Sequence, residues 1–215
     1  MAARAVPGRR AKARGGSKAR VVSAAAAEFA ARGYAGANMD RVARAARLNK
    51  AMIYYHFGSK AALYRAILVD MFDDVRRRVG AVAAADSPAD AKIRGFVEAI
   101  ADAAAAHPHF PPIWLRELAE GARHVDTATL TYARDVLEML GGIIREGCDA
   151  GRFTRVNPLM LHAGIVAPLM FFFVTGGIRA KLGRAGAAGA AHITREAVVD
   201  HVQRIALAVL EGRVG

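Results

Sequence analysis

The stretch NKAMIYYHFGSK, Asn49 to Lys60, sets two tyrosines, a histidine, a phenylalanine and two lysines within twelve residues and contains no acid. Asn49 is a good helix N-cap and Gly58 a helix breaker, so Lys50 to His56 or Phe57 is expected to form a short helix. On such a rod Ile53 and Phe57 stand four apart and share a face. Lys50, Met52, Tyr55 and His56 then turn outward, with Tyr54 at the border. One face packs; the other offers cations and ring hydroxyls to a polar partner.

The flanking residues supply a setting. Asn38 caps a second short helix, MDRVARAA, with Asp40 in its first turn and Val42 and Ala45 or Ala46 inward. RLN makes the turn to Asn49. Upstream, a longer helix is expected from Ser17 to Arg32, with Val22, Ala25, Ala26 and Phe29 on one face and Gly33 stopping it. Downstream, Ser59 caps a fourth helix that continues to about Val79. Two short helices joined by a tight turn behind a supporting helix describe a helix-turn-helix.

A rod of this width fits the DNA major groove, and its N-terminal residues reach base edges. Lys50 can donate to guanine O6 or N7, and Ala51 or Met52 can meet a thymine methyl. Tyr54, Tyr55 and His56 can bond phosphates or bases. Lys60 with the amides opening the fourth helix forms one expected phosphate site; Asn38 and Met39, with the amides opening the second, form another.

Charge points the same way. Residues 1–60 hold 13 of the 31 Lys and Arg but only two of the 19 acids, Glu28 and Asp40. That quarter carries net +11 and the other 155 residues +1. A basic module on a neutral body suits a polyanion partner. Residues 1–16 are Ala, Gly and Arg without an apolar face and read as a mobile, basic arm, a second route to the DNA backbone.

Alanine dominates the remainder and runs of alternating β-branched residues are absent, so the chain is expected to be all-α. Helices are expected at Ser87–Ala106, Pro111–Ala122, Thr127–Ala150, Pro158–Ile178 and Thr194–Glu211, with LGRAGAAGAA as a linker. Pro158–Ile178 has no charged residue over 21 positions, which is long enough to span a bilayer. Pro168, His162 and the lack of a second span favour instead a helix buried by its own subunit on one side and a second subunit on the other.

One cysteine, Cys148, excludes an internal disulfide framework and a cysteine-based zinc site. There is no P-loop, no Gly-x-Gly-x-x-Gly after a strand and no His-Glu-x-x-His, and His107 and His109 lack further ligands. No enzyme, metal or cofactor is expected. With no apolar segment of signal-peptide type at the N-terminus, the expected location is cytoplasmic, without membrane insertion.

Residues 24–68, AAAAEFAARGYAGANMDRVARAARLNKAMIYYHFGSKAALYRAIL, resemble the DNA-binding domain of the tetracycline-repressor (TetR) family in the Phe29–Gly33–Tyr34 helix end, the MDRVARAA helix and IYYHFGSKAAL. Arg47 departs from the pattern, standing where the family often has glycine in the turn. The resemblance implies a helix-turn-helix domain (17–62) followed by a helical ligand-binding and dimerisation domain (63–215). It implies a homodimer that binds double-stranded DNA, in most members a repressor relieved by a small-molecule effector. Asn38, Lys50, Tyr54, Tyr55, His56 and Lys60 match its DNA-contacting positions. An apolar effector cavity is expected among Phe110, Trp114, Leu118, Tyr132, Met139, His162, Met170 and Phe171. The dimer interface is expected at Val166 and Phe173 and on a stripe of Val198, Val202, Ile205 and Val209. The rival reading is a soluble helical binding protein without specific DNA readout.

Overall fold

The computed structural model describes residues 7–187 and 189–213, with side chains from Gly16 onward. Regular structure among the described residues is helical throughout: α1 (Pro7–Gly36), α2 (Met39–Ala46), α3 (Lys50–Phe57), α4 (Lys60–Ala83), α5 (Ala89–Ala106), α6 (Phe110–Ala119), α7 (Thr127–Asp149), α8 (Pro158–Val174), α9 (Gly176–Arg184) and α10 (Arg195–Leu210), with a 3-10 turn at Ala190–His192. The chain divides into two compact units: residues up to Leu68 together with Pro112–Val125, and Val69–Pro111 together with the chain from Asp126 on.

In the first unit, α1 starts at Pro7, ten residues before the expected Ser17. Proline suits a first helical position, and the Ala, Arg and Lys that follow are good helix formers. The part of the expected arm from Pro7 to Gly16 is therefore helical backbone; residues 1–6 lie outside the described residues. The expected stop at Gly33 is a break inside α1, at φ 68° and ψ 176°. Val21, Ala25 and Phe29 are fully buried, spaced by four on one face, whereas Val22 and Ala26 are only half-buried. They meet Val42, Ala43 and Ala46 of α2, Ile53 of α3 and Leu63, Ile67 and Leu68 of α4 in one small core.

The second unit is a bundle in which α5, α7, α8 and α10 pack on one another. Ile93, Phe96, Val97 and Ile100 of α5, Leu140 and Ile143 of α7, Ile165 and Leu169 of α8 and Val202, Leu207 and Leu210 of α10 fill its centre. Polar ties join the same helices: Lys92 to Glu146 at 2.7 Å, and Arg195 to Glu98 and Asp102. In the last turn of α7, Gly147 is required by contact: a Cβ there would lie 1.9 Å from the ring of buried Phe153.

The apolar segment expected to run from Pro158 to Ile178 breaks at Thr175. The Thr175 hydroxyl donates to the Phe171 carbonyl at 2.7 Å, and α9 leaves at 62° to α8. No single described helix is long and apolar enough to cross a membrane, although the bent pair α8–α9 has the length and composition to do so. Leu161, Ile165, Leu169 and Met170 are buried within the chain, while Leu159, Met160, Phe171 and Val174 are exposed. α9 also takes the first three residues of the expected linker, because Leu182 and Arg184 propagate a helix better than the glycines beyond them.

Candidate nucleic-acid interface

Both short helices are fixed at their starts by asparagine. Asn38 Oδ1 accepts from the Asp40 amide at 2.7 Å, and Asn49 Oδ1 accepts from the Met52 amide at 2.9 Å. Each bond satisfies one of the amides that a helix start leaves without a partner. The turn between them depends on Arg47, which adopts φ 53° and ψ 47°. Its amide bonds the Arg44 carbonyl at 3.1 Å, and the Leu48 amide bonds the Ala43 carbonyl at 3.0 Å. This left-handed step closes α2 and turns the chain into α3, at a strain of about 1–2 kcal/mol for a residue with a Cβ.

α3 is anchored as its spacing requires. Ile53 is fully buried and Phe57 half-buried, while Lys50, Ala51, Tyr54 and Tyr55 are exposed and Met52 is half-buried. Asn38, Lys50, Ala51, Tyr54 and Tyr55 thus form the solvent face of the two short helices. Lys50 is not loose on it: its Nζ lies 3.0 Å from Asp40 Oδ2, and that bond above all raises the lysine's pKa.

Three expected contact residues are placed otherwise. Met39 is buried in the core, because the first turn of α2 packs on α1 and an unbranched apolar chain gains by burial there. Lys60 Nζ donates to the carbonyls of Ala37 at 2.8 Å and Ala35 at 3.3 Å and sits 4.9 Å above the Tyr34 ring. It ties the end of α1 to the start of α4 rather than standing free for a phosphate. His56 Nε2 is 3.0 Å from the hydroxyl of buried Ser17, so one ring edge is committed inside the unit.

A polar node behind this face has no local signature in sequence. Glu117, on α6, is 1% exposed. It accepts from the Tyr64 hydroxyl at 2.8 Å and the His124 amide at 2.7 Å, with the His124 ring nitrogen at 3.1 Å. Burial raises the Glu117 pKa, but these donors outweigh it and hold the carboxyl below its usual range. Burial and the neighbouring carboxylate push the Tyr64 hydroxyl far up. The Tyr34 ring lies 3.9 Å from His124 and 5.2 Å from Tyr64. Beside them Arg116 donates to the carbonyls of Phe29 and Ala30 at 3.1 and 3.2 Å. Only glycine fits at position 33, where a Cβ would come within 2.9 Å of the Arg116 side chain.

The expected effector residues do not gather on one element. Trp114 and Leu118 lie in the first unit, and Leu118 is exposed. In the second, Phe110 and Met170 are buried, Tyr132, Met139 and His162 are half-buried and Phe171 is exposed. Burial lowers the pKa of His162, whose ring stands edge-on to Phe96 at 6.3 Å. Of the expected interface residues, Val202 is buried in its own chain and cannot serve a partner, because α10 turns Val199, Val202, Ala206 and Leu210 onto the bundle. Ile205 is exposed, and Val166, Phe173, Val198 and Val209 are half-buried. Ile205 and Val209 border an apolar groove with Met160, Leu161 and Ile165 of α8.

Residues 21–67 match the model of bacterial regulatory proteins of the tetR family, and residues 88–185 match that of a tetracyclin repressor-like C-terminal domain. The HTH-type transcriptional repressor SCO4008 of Streptomyces coelicolor is 32% identical over 173 residues, which cover 75% of this chain and 84% of that protein. The HTH-type transcriptional repressor NicS of Pseudomonas putida is 26% identical over 156 residues, 71% of this chain and 73% of that one. Among solved structures, a regulatory protein of the tetR family from Rhodococcus RHA1 superimposes with a TM-score of 0.70 at 20% identity, covering 90% of this chain and 96% of its own.

Proposed function

The chain belongs to the tetR family of bacterial regulatory proteins and is a DNA-binding transcription regulator; on that premise we infer that it is a repressor that binds a palindromic operator as a homodimer and is released by a small apolar effector. The observation that carries the reading is the exposed face of α2 and α3, where Asn38, Lys50, Ala51, Tyr54 and Tyr55 stand outward over an Ile53 anchor. Lys50 and Ala51 read base edges from the N-terminal turn of α3, and Tyr54 and Tyr55 bond the backbone or a base. His56 contributes through its uncommitted ring edge. Met39 supports this face from inside the module, and half-buried Lys60, at the start of α4, adds a cation at its edge.

Two copies related by a twofold axis read half-sites about one DNA turn apart, roughly 34–36 Å. The exposed apolar residues of α8 and α10, Met160, Phe171 and Ile205 among them, form the dimer surface. The protein works in the cytoplasm, where its DNA target is. An effector held among apolar residues of the second unit favours one packing of the bundle, and the change travels along α4, which begins beside α3. A coupling of about 1–3 kcal/mol changes operator affinity roughly 5–150-fold.

The test begins with operator fragments that the purified protein selects from genomic DNA. Lys50→Ala combined with Tyr54→Ala should abolish preference for those fragments over scrambled duplex, with dimerisation and thermal unfolding unchanged. Retention of full preference by the double variant sinks the reading.

A further inference from the structure

The most basic quarter of the chain keeps two acids, and they have different surroundings. Glu28 is internal to its module, with a side chain 12% exposed that accepts from Arg41 Nε at 2.8 Å and the Asn38 amide at 3.0 Å. The Asp40 side chain is 60% exposed, in the first turn of α2 beside the Asn38 cap. On that face a carboxylate repels the phosphate backbone and weakens binding to every duplex alike. It therefore needs a compensating role at the DNA surface.

Its partner indicates the role. Asp40 Oδ2 lies 3.0 Å from Lys50 Nζ, the cation at the first position of α3. A lysine ammonium is a point charge on a four-carbon stem, with donors that carry no fixed direction. Left alone, it turns to whichever phosphate oxygen is nearest. A bond to a neighbouring helix fixes one donor, restricts the stem and leaves the other donors a narrow range of directions.

We propose that Asp40 is a positioning residue: it withholds Lys50 from the phosphates and aims it at a base edge, lowering affinity for DNA in general and raising discrimination among sequences. The proposal rests on α3 being the groove-reading helix. Asp40 touches no base. It acts through Lys50, so its effect on discrimination requires that lysine, while its repulsion of phosphate does not.

The experiment measures binding of the full-length protein to a selected operator fragment and to a scrambled duplex of equal length, by fluorescence anisotropy over a series of salt concentrations. Asp40→Asn keeps the side-chain shape and removes the charge. It should strengthen binding to scrambled duplex about threefold or more and steepen the log–log salt slope by about 0.9, the value of one further phosphate contact. The operator-to-scrambled affinity ratio should fall roughly fivefold, while thermal unfolding stays close to wild type. In a Lys50→Ala background the same substitution should leave the ratio within about twofold. An Asp40→Asn protein that strengthens both duplexes by one factor overturns the proposal and leaves the DNA-reading assignment standing. An equal fall in ratio with and without Lys50 also overturns it. A wild-type protein with no preference for the selected fragment removes the reading of α3 itself.

Discussion

α2 and α3 are eight residues each, and α3 buries a single side chain behind its capped start, whereas α8 and α10, about twice as long, are also capped but bury four and five. In the short pair the decisive bonds span two or three residues: Asn38 to the Asp40 amide and Asn49 to the Met52 amide. One deep anchor, Ile53, completes the third helix. In the long pair the side chains that decide position meet partners far away in sequence. Arg195 of α10 bonds Glu98 and Asp102 of α5, and Gln203 bonds the Arg94 carbonyl. Short-range bonds fix where a helix starts and which way it faces. Long-range packing fixes which of two apolar faces is core.

The largest expected effect separates two neighbours on α10. Val202 is 1% exposed and Ile205 46% exposed. Val202→Asp sets a charge in the bundle with no partner, and chemical denaturation should show a loss of at least about 4 kcal/mol, or no folded protein. Ile205→Asp should leave the protomer folded and weaken the proposed dimer, read by sedimentation at micromolar concentration. Equal damage from both would erase the contrast between a core face and an outer face.

That contrast explains how far the residues could be read unaided. Caps at Asn38 and Asn49 and the Ile53 anchor follow from nearest neighbours, and they were legible; at Arg47 the resemblance marked the turn but not its left-handed backbone. Met39 was not legible, because methionine suits an exposed turn as well as a core and the packing of α2 on α1 decided between them; nor were the bonds of half-buried Lys60 to the carbonyls of Ala35 and Ala37, which lie more than twenty residues away. On α10 β-branched residues occur on both sides, so the Val198–Val202–Ile205–Val209 stripe crosses from core to surface. The Glu117 node was invisible because its Tyr64 partner lies 53 residues away.

Glu117 tests whether a long-range polar bond can matter as much as packing. Glu117→Gln keeps the volume but weakens an acceptor shared by the Tyr64 hydroxyl and the His124 amide, at an expected loss of about 2 kcal/mol near pH 7. The pH dependence has a definite sign. Since the folded carboxyl lies below its ordinary value, its contribution is complete above the unfolded pKa and disappears as pH falls through the folded one. The wild-type and Gln curves should therefore converge on acidification from pH 5. A constant gap down to pH 2 would show that folding does not lower the Glu117 pKa.

A smaller effect examines the short pair by itself. Asn49→Ala leaves the Met52 amide without its acceptor and should cost about 1 kcal/mol. Because the bond orients the first turn of α3, operator affinity should fall more than this stability loss alone would produce. Asn157→Ala at the cap of α8 removes bonds of the same kind to the Leu159 and Met160 amides. Its cost in stability should be similar, with operator affinity unchanged, since α8 is placed by its buried face.

The smallest expected effect is a gain. Arg47 has φ 53° and ψ 47°, a conformation that costs a residue with a Cβ about 1–2 kcal/mol and glycine almost nothing. Glycine gives back about 0.5–1 kcal/mol through the entropy of its unfolded chain, so Arg47→Gly should stabilise by about 0.5 kcal/mol. For a chain of this length that is a rise of about 1–2 °C in Tm. Removing the cation also lowers general DNA affinity, so the informative partner is Arg47→Ala, which loses the same charge and keeps the strain. Ala and Gly variants should share one salt slope for scrambled duplex, and only Gly should melt higher than wild type. If Ala gains as much as Gly, the turn is not strained at Arg47, and the side chain rather than the backbone sets its cost.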